Sequence, residues 1–423
     1  MAEKETSTSP GRAKEDRRPV QPRRTKTPTA TTAQSALEGF LRLVSSPVPL
    51  GSGHGDFPPL VKRLWFAFQR QRGIYDWLLA KRCARLSQQD RVVLWWALTE
   101  CFALDGLPAA VAVDTAVEHS LRTRGRHSAS FVNAVLRGIL RDFPDRDSLA
   151  KALLQSAPPA VQAGLSGPLY ERWLSVYGKK WLNSTAALLQ DEAPVTARPR
   201  GCFRGAAHGR PYPGEGVFTT ASSERMDVEK YYLQDPSTIL APFLLAPRPG
   251  DAVADLCAAP GGKSLILAEI LDGTGSLLCC DRAPERLPAI QENLRGYGNV
   301  RIECADAEKS IRPADSFDAI LLDVPCSNTG VVRRRPDVRW NYTAAGLKEL
   351  LAHQRAILDA SAPLLRAGGV LVYSTCSIEP EENQEQVKAF LATHPGFILE
   401  ASRQLLPTRH HDGAYAARLR RVH

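Results

Sequence analysis

The chain has 423 residues, 43% hydrophobic and 23% charged, with 54 Lys+Arg against 45 Asp+Glu and a net charge of +9. At ~150 residues per domain this length holds more than one core, and 30 Gly and 31 Pro spread without a period exclude collagen-like and wholly disordered chains. No apolar run approaches the ~18 residues of a membrane span and the polar N-terminus is not a secretory signal, so the nine cysteines are expected as reduced thiols in a cytoplasmic protein whose basic balance suits a nucleic-acid partner.

Residues 1–33 hold Arg17-Arg18 and Arg23-Arg24 among Pro, Thr and Ser, and read as a disordered basic tail. Residues 34–150 read as an all-helical domain. SALEGFLRLV, RLWFAFQRQRGIYDWLLAKRC, RVVLWWALTECFAL, AAVAVDTAVEHSLR and SFVNAVLRGILRDF each repeat apolar residues at three and four. Ser87 with Asp90 reads as a capping box opening the third helix. Residues 151–230 read as a helical connector followed by a few short strands around APVTARPRG and GVFTTA. From Tyr231 strands and helices alternate: DAVADLC, GSLLCCD, NVRIECAD, FDAILLDVPC and GGVLVYSTC, then a closing pair, FILEASRQLLPT and AYAARLRR. Apolar strands between amphipathic helices predict an α/β domain with a mostly parallel sheet, whose ligands bind beyond the carboxyl ends of the strands.

Those ends carry the chemistry. Cys257, Ala258, Ala259, Pro260, Gly261, Gly262 and Lys263 follow the first strand and open a helix, where small residues let backbone N–H groups approach a ligand. The GKS ending suggests a Walker A loop, but Cys257 stands where that loop needs Gly. Asp281 ends the next strand, placed to accept from ribose hydroxyls, and Asp306 ends the third, within reach of an adenine amine. Each alone reads equally as a helix cap. Together they form a nucleoside pocket without a phosphate signature, which favours S-adenosylmethionine over a nucleotide. Asp323 and Cys326 end the fourth strand and Cys376 the fifth; Cys257, Cys279, Cys280 and Cys304 read as buried core thiols, and zinc is not expected because no Cys or His completes a ligand set. A methyl-donor site has use for a thiol. Carbon 5 of a pyrimidine becomes nucleophilic only after a thiolate adds at carbon 6, and Asp323 could hydrogen-bond the ring nitrogen and amine of cytosine.

CAAPGGK, LDVPCSNTGVVRRRPDVRW and YSTCSIEPEENQEQV resemble the motifs of the NOL1/NOP2/Sun family of RNA 5-methylcytosine methyltransferases, and YYLQDPSTILAP resembles its entry segment. The stretch from Asp90 to Leu140, with its Phe131–Arg137 run, resembles a NusB-type RNA-binding domain, which together point to the Sun/Fmu/RsmB branch. The resemblance implies a Rossmann-like class I methyltransferase domain with a seven-stranded sheet over 231–423, behind a NusB-like domain over 34–150 and a reduced RNA-binding subdomain within 151–230. It implies S-adenosyl-L-methionine held by residues 257–263, Asp281, Asp306 and Asp323, with Cys376 as nucleophile and Cys326 assisting product release. The implied partner is small-subunit ribosomal RNA, with cytosine 967 as the target, met by a monomer away from any membrane; tRNA methylation and a non-catalytic assembly role are the alternatives. Arg333, Arg334, Arg335, Arg339, Trp340 and, in the helical domain, Arg137 are the expected RNA contacts, and Glu381, Glu382 and Asn383 read as capping the helix after Cys376 or as catalytic groups. Val324 and Asn328 depart from the commoner motif without removing a functional group, and His411-Asp412-Gly413 matches the closing motif.

Overall fold

Helix α1 (Ala30–Val44) begins four residues inside the stretch read as tail, and is followed by α2 (Pro59–Arg82), α3 (Gln88–Phe102), α4 (Ala109–Arg124), α5 (Arg126–Asp142) and α6 (Arg146–Ser156). The computed structural model describes residues 30–45, 57–104, 107–204, 217–220, 226–309 and 311–423, so the rest of the tail lies outside it. The middle of α3 is apolar all round, which puts it at the centre of the helical domain: Val93, Leu94, Trp95, Trp96 and Leu98 are all buried there. Ser87 caps α3 by accepting the Asp90 N–H at 3.1 Å. The reciprocal half of a capping box is absent, because the Asp90 carboxylate instead takes the Ser128 hydroxyl at 2.6 Å and ties α3 to α5. Only Gly125 separates α4 from α5, and its φ of +84° suits a residue without Cβ. Helix α6 runs across residue 150, so the helical part extends past the boundary drawn there.

Three short antiparallel strands follow, with β1 (Thr196–Pro199) between β2 (Thr219–Thr220) and β3 (Tyr231–Leu233). A division at Tyr231 would therefore cut a sheet in two. The small sheet is fastened from within: the buried Arg198 guanidinium lies 3.0 Å from both carboxylate oxygens of the equally buried Glu269, on helix Gly262–Leu271. Glu269 also accepts the Gly201 and Phe203 N–H groups, so its charge is compensated rather than stranded.

The large sheet contains β4 (Ala252–Asp255), β5 (Ser276–Asp281), β6 (Val300–Cys304), β7 (Phe317–Asp323), β8 (Leu365–Thr375), β9 (Phe397–Leu405) and β10 (Ala414–Arg421) in the order β6-β5-β4-β7-β8-β10-β9. Strands β4 to β8 pair in parallel, and β10 runs antiparallel to both β8 and β9. The chain winds outward from β4 to β6 and then returns to β7, so the order reverses between β4 and β7. That switch point opens a crevice at the strand ends. No helix among the described residues is long and apolar enough to cross a membrane.

Candidate active site

The crevice is lined from three sides. After β4, the loop 257–263 is folded by its own backbone: Gly261 donates to the Ala258 carbonyl at 2.7 Å, and Ala258 donates to Cys280 on β5 at 2.8 Å. Gly261 sits at φ +104°, and a Cβ there would approach the Ile290 Cα to 3.3 Å, so only glycine allows this turn. Asp281, at the end of β5, is 6% exposed and accepts from Ala259 N at 3.3 Å and Ala283 N at 3.0 Å. It thereby holds the loop while keeping acceptor capacity. Asp306 lies past β6, where the Glu308 N–H keeps its carboxyl below the ordinary range.

Across the switch point, Lys263 Nζ lies 2.6 Å from Asp323 Oδ2, and Ser374 Oγ donates to Asp323 Oδ1 at 2.8 Å. Burial alone would lower the proton affinity of Lys263, but the adjacent Asp323 outweighs it and holds the ammonium above its usual pKa. Next to this pair, Cys326 Sγ and Cys376 Sγ are 3.2 Å apart. Cys376 is half-buried and also meets Asn328 Oδ1 at 3.1 Å, whereas Cys326 is buried. The hydrogen bond with Cys376, and then burial, push the Cys326 thiol well above its ordinary pKa. The structure thus separates two cysteines that look equivalent in sequence.

Groups that hold the two cysteine loops were missed as such. Glu382 does not cap the following helix; its fully buried carboxylate accepts from Ser327 N at 2.8 Å, the Ser327 hydroxyl and Gln354 Nε2 at 2.9 Å. Asn383 likewise turns inward, accepting from Thr375 Oγ1 at 2.6 Å and donating to the Ser377 carbonyl at 3.0 Å. Glu381 pairs with Arg172. The capping expectation for these three therefore fails, because donors from other elements, Ser327, Gln354, Thr375 and Arg172, take up their side chains. The only sequence signal was their placement five to seven residues past Cys376, too general to assign a partner.

The arginine cluster after Cys326 also needs correction. Arg339 is fully buried and donates to the carbonyls of Gly164 and Leu189; Arg333 is 4% exposed and donates to those of Thr408 and Glu192. Arg334 bridges Asp235 at 2.7 Å and Asp412 at 2.6 Å, and Trp340 donates to the Gln69 carbonyl at 2.8 Å. Arg333, Arg339 and Trp340 tie the segment after Cys326 to carbonyls elsewhere in the protein, Arg334 ties it to Asp235 and Asp412, and these bonds point inward rather than toward RNA. Arg335 is half-buried beside Asp337, while Arg137 is exposed on α5 and bonds only its helix neighbour Asn133 among the described contacts. Among the cysteines read as core, Cys279 and Cys280 are buried, but Cys257 is half-buried and Cys304 exposed, each lying at or past a strand end.

The description of 16S rRNA methyltransferase RsmB/F matches residues 242–420, and that of the NusB family matches residues 56–141. The chain is 34% identical over 347 residues to ribosomal RNA small subunit methyltransferase B of Vibrio cholerae, covering 75% of this chain and 78% of that protein. It is 31% identical over 362 residues to the protein of the same name from Shigella flexneri, covering 78% and 81%. The crystal structure of PH0851 shares the fold, with a TM-score of 0.71 at 21% identity over 93% of this chain and 99% of that one. With the match running through both the helical domain and the sheet that carries the paired thiols, the chain belongs to the ribosomal RNA small subunit methyltransferase B family.

Proposed function

We propose that this chain methylates carbon 5 of a cytosine in 16S rRNA, with S-adenosylmethionine as donor and cytosine 967 as target. The observation that carries this reading is the pair of sulfurs 3.2 Å apart at adjacent strand ends, beside the Lys263–Asp323 pair. The donor set fits the cofactor: a glycine turn that brings backbone close, and two carboxylates at the ends of β5 and β6, suit a nucleoside with a free ribose diol. Bound there, S-adenosylmethionine supplies an electrophilic methyl group. Residues 257–263, Asp281 and Asp306 would hold it.

The protein's own work is on the cytosine. Cys376, the more accessible thiol, adds as thiolate to carbon 6, which concentrates electron density on carbon 5. Asp323 accepts from the exocyclic amine, and Lys263 stays charged beside it to balance the developing negative charge. After methyl transfer, water takes the carbon 5 proton, the electron pair of that bond re-forms the ring double bond, and the carbon 6–sulfur bond breaks to release Cys376 as a thiolate. Cys326, protonated in the resting site and touching that sulfur, assists release. Exposed Arg137 and the helical domain would supply affinity for the RNA backbone.

The test is a denaturing gel of each cysteine variant with rRNA and methyl donor. Cys326→Ala should accumulate a covalent protein–RNA adduct, and Cys376→Ala should give neither adduct nor product. A stable adduct from Cys376→Ala alone would reverse the two roles. Bisulfite sequencing of rRNA from a strain lacking the gene should show loss of the mark at cytosine 967, and an unchanged profile would exclude that target.

A further inference from the structure

Asn328 binds both cysteine motifs. It holds φ +60°, the left-handed region that Asn and Gly tolerate. Its Nδ2 donates to the Cys326 carbonyl at 2.9 Å. A carbonyl only accepts, so the amide orientation is fixed by that bond, and Oδ1 is the atom that meets Cys376 Sγ at 3.1 Å. Oδ1 cannot donate. Cys376 must therefore supply the proton, and its one proton is then spent. The 3.2 Å contact between the sulfurs accordingly needs Cys326 as the donor.

We infer that the Asn328 amide is a latch on the nucleophile, holding the Cys376 proton on the amide oxygen until the target base enters. This rests on the reading of Cys376 as nucleophile. An ionised sulfur at this spot would face the lone pairs of Oδ1 at 3.1 Å, so the latched geometry opposes ionisation, while the Cys326 S–H favours it. The charged groups around the thiols are Lys263 after β4, Asp323 at the end of β7, and Glu382 before helix Gln384–Thr393. Lys263 and Asp323 are paired with each other, and Glu382 is held by Ser327 and Gln354. Asn328 and Cys326 are the side chains the structure bonds directly to the Cys376 sulfur.

The test uses the full chain with neither RNA nor methyl donor, and follows iodoacetamide alkylation of Cys376 against pH by peptide mass spectrometry. Asn328→Gly keeps the left-handed backbone and removes the acceptor; its midpoint should fall, giving ~3- to 10-fold more thiolate at neutral pH. Asn328→Asp keeps the shape and places a negative charge at the sulfur; its midpoint should rise by a comparable factor. Loosening of the loop would move both variants the same way. A shared direction, or an unmoved midpoint in Asn328→Gly, overturns the latch. Failure of the nucleophile assignment is seen separately, as absence of a Cys376-dependent RNA adduct on the gel.

Discussion

The indole N–H of Trp340 donates to the main-chain carbonyl of Gln69 at 2.8 Å, so the segment that starts at Cys326 ends against helix α2 of the helical domain. The Trp340 ring lies over Gly73, with the Arg72 guanidinium 5.5 Å from its centre. The segment after Cys326 and the helical domain are joined at this contact. A Cβ on Gly73 would come 2.9 Å from the Trp340 ring. Gly73→Leu should therefore destabilise the joint: the ~1 kcal/mol gained by removing glycine from a helix is outweighed by overpacking at ~1–3 kcal/mol and by loss of the Trp340 hydrogen bond. Chemical denaturation and methylation rate should both fall. A Gly73→Leu protein as stable and as active as the parent would show that the two parts do not depend on this contact.

The sequence makes the strand ends legible because a parallel sheet puts its functional loops after its apolar runs. Cys257–Lys263, Asp281, Asp306, Asp323, Cys326 and Cys376 could all be placed that way, and the structure brings Lys263, Asp323 and both thiols to one crevice. What a sequence does not show is where a long polar side chain turns. Arg333, Arg339 and Trp340 look like a basic, aromatic RNA surface, yet their partners are carbonyls 75 to 271 positions away in the chain. Glu382 poses the same problem: its helix-capping reading is local, and the donors that claim it lie in the loop at Ser327 and on the helix Ala344–Ser361.

Asp281 holds the loop after β4 and is the residue proposed to take the ribose of the methyl donor. Asp281→Ala should weaken S-adenosylmethionine binding by ~1–3 kcal/mol, since the Ala259 and Ala283 N–H groups lose their acceptor as well. Calorimetry gives the affinity and circular dichroism checks the fold. Equal affinity in the variant would make Asp281 a structural cap alone.

Glu382 is a buried acceptor with three donors aimed at it. Glu382→Gln replaces one acceptor oxygen by an N–H2 group that must oppose a donor, at a cost of ~1–3 kcal/mol. The loop carrying Cys326 should shift, so kcat should drop and the Cys326-dependent release step should slow. A Glu382→Gln enzyme with unchanged turnover and thermal midpoint would mean the loop is held by other contacts.

Glu100 lies 2% exposed in α3, and burial, only partly offset by Arg63, pushes its carboxyl from 4.5 up to about 7. Burial likewise raises Asp255 and Asp412 to about 7. The folded protein therefore holds these protons more tightly than the unfolded chain does. Their contribution to stability is complete below the unfolded carboxyl range and is lost as pH rises through the folded value of about 7. Each unit of separation corresponds to ~1.4 kcal/mol. Glu100→Gln keeps the side-chain shape and removes one of the three titrations. Urea unfolding from about pH 5 to about pH 8 should show the parent losing stability faster than the variant, with the curves diverging upward of pH ~5. Curves that stay parallel across that range would mean Glu100 finds enough solvent or positive charge in the folded helical domain to titrate as an ordinary carboxylate.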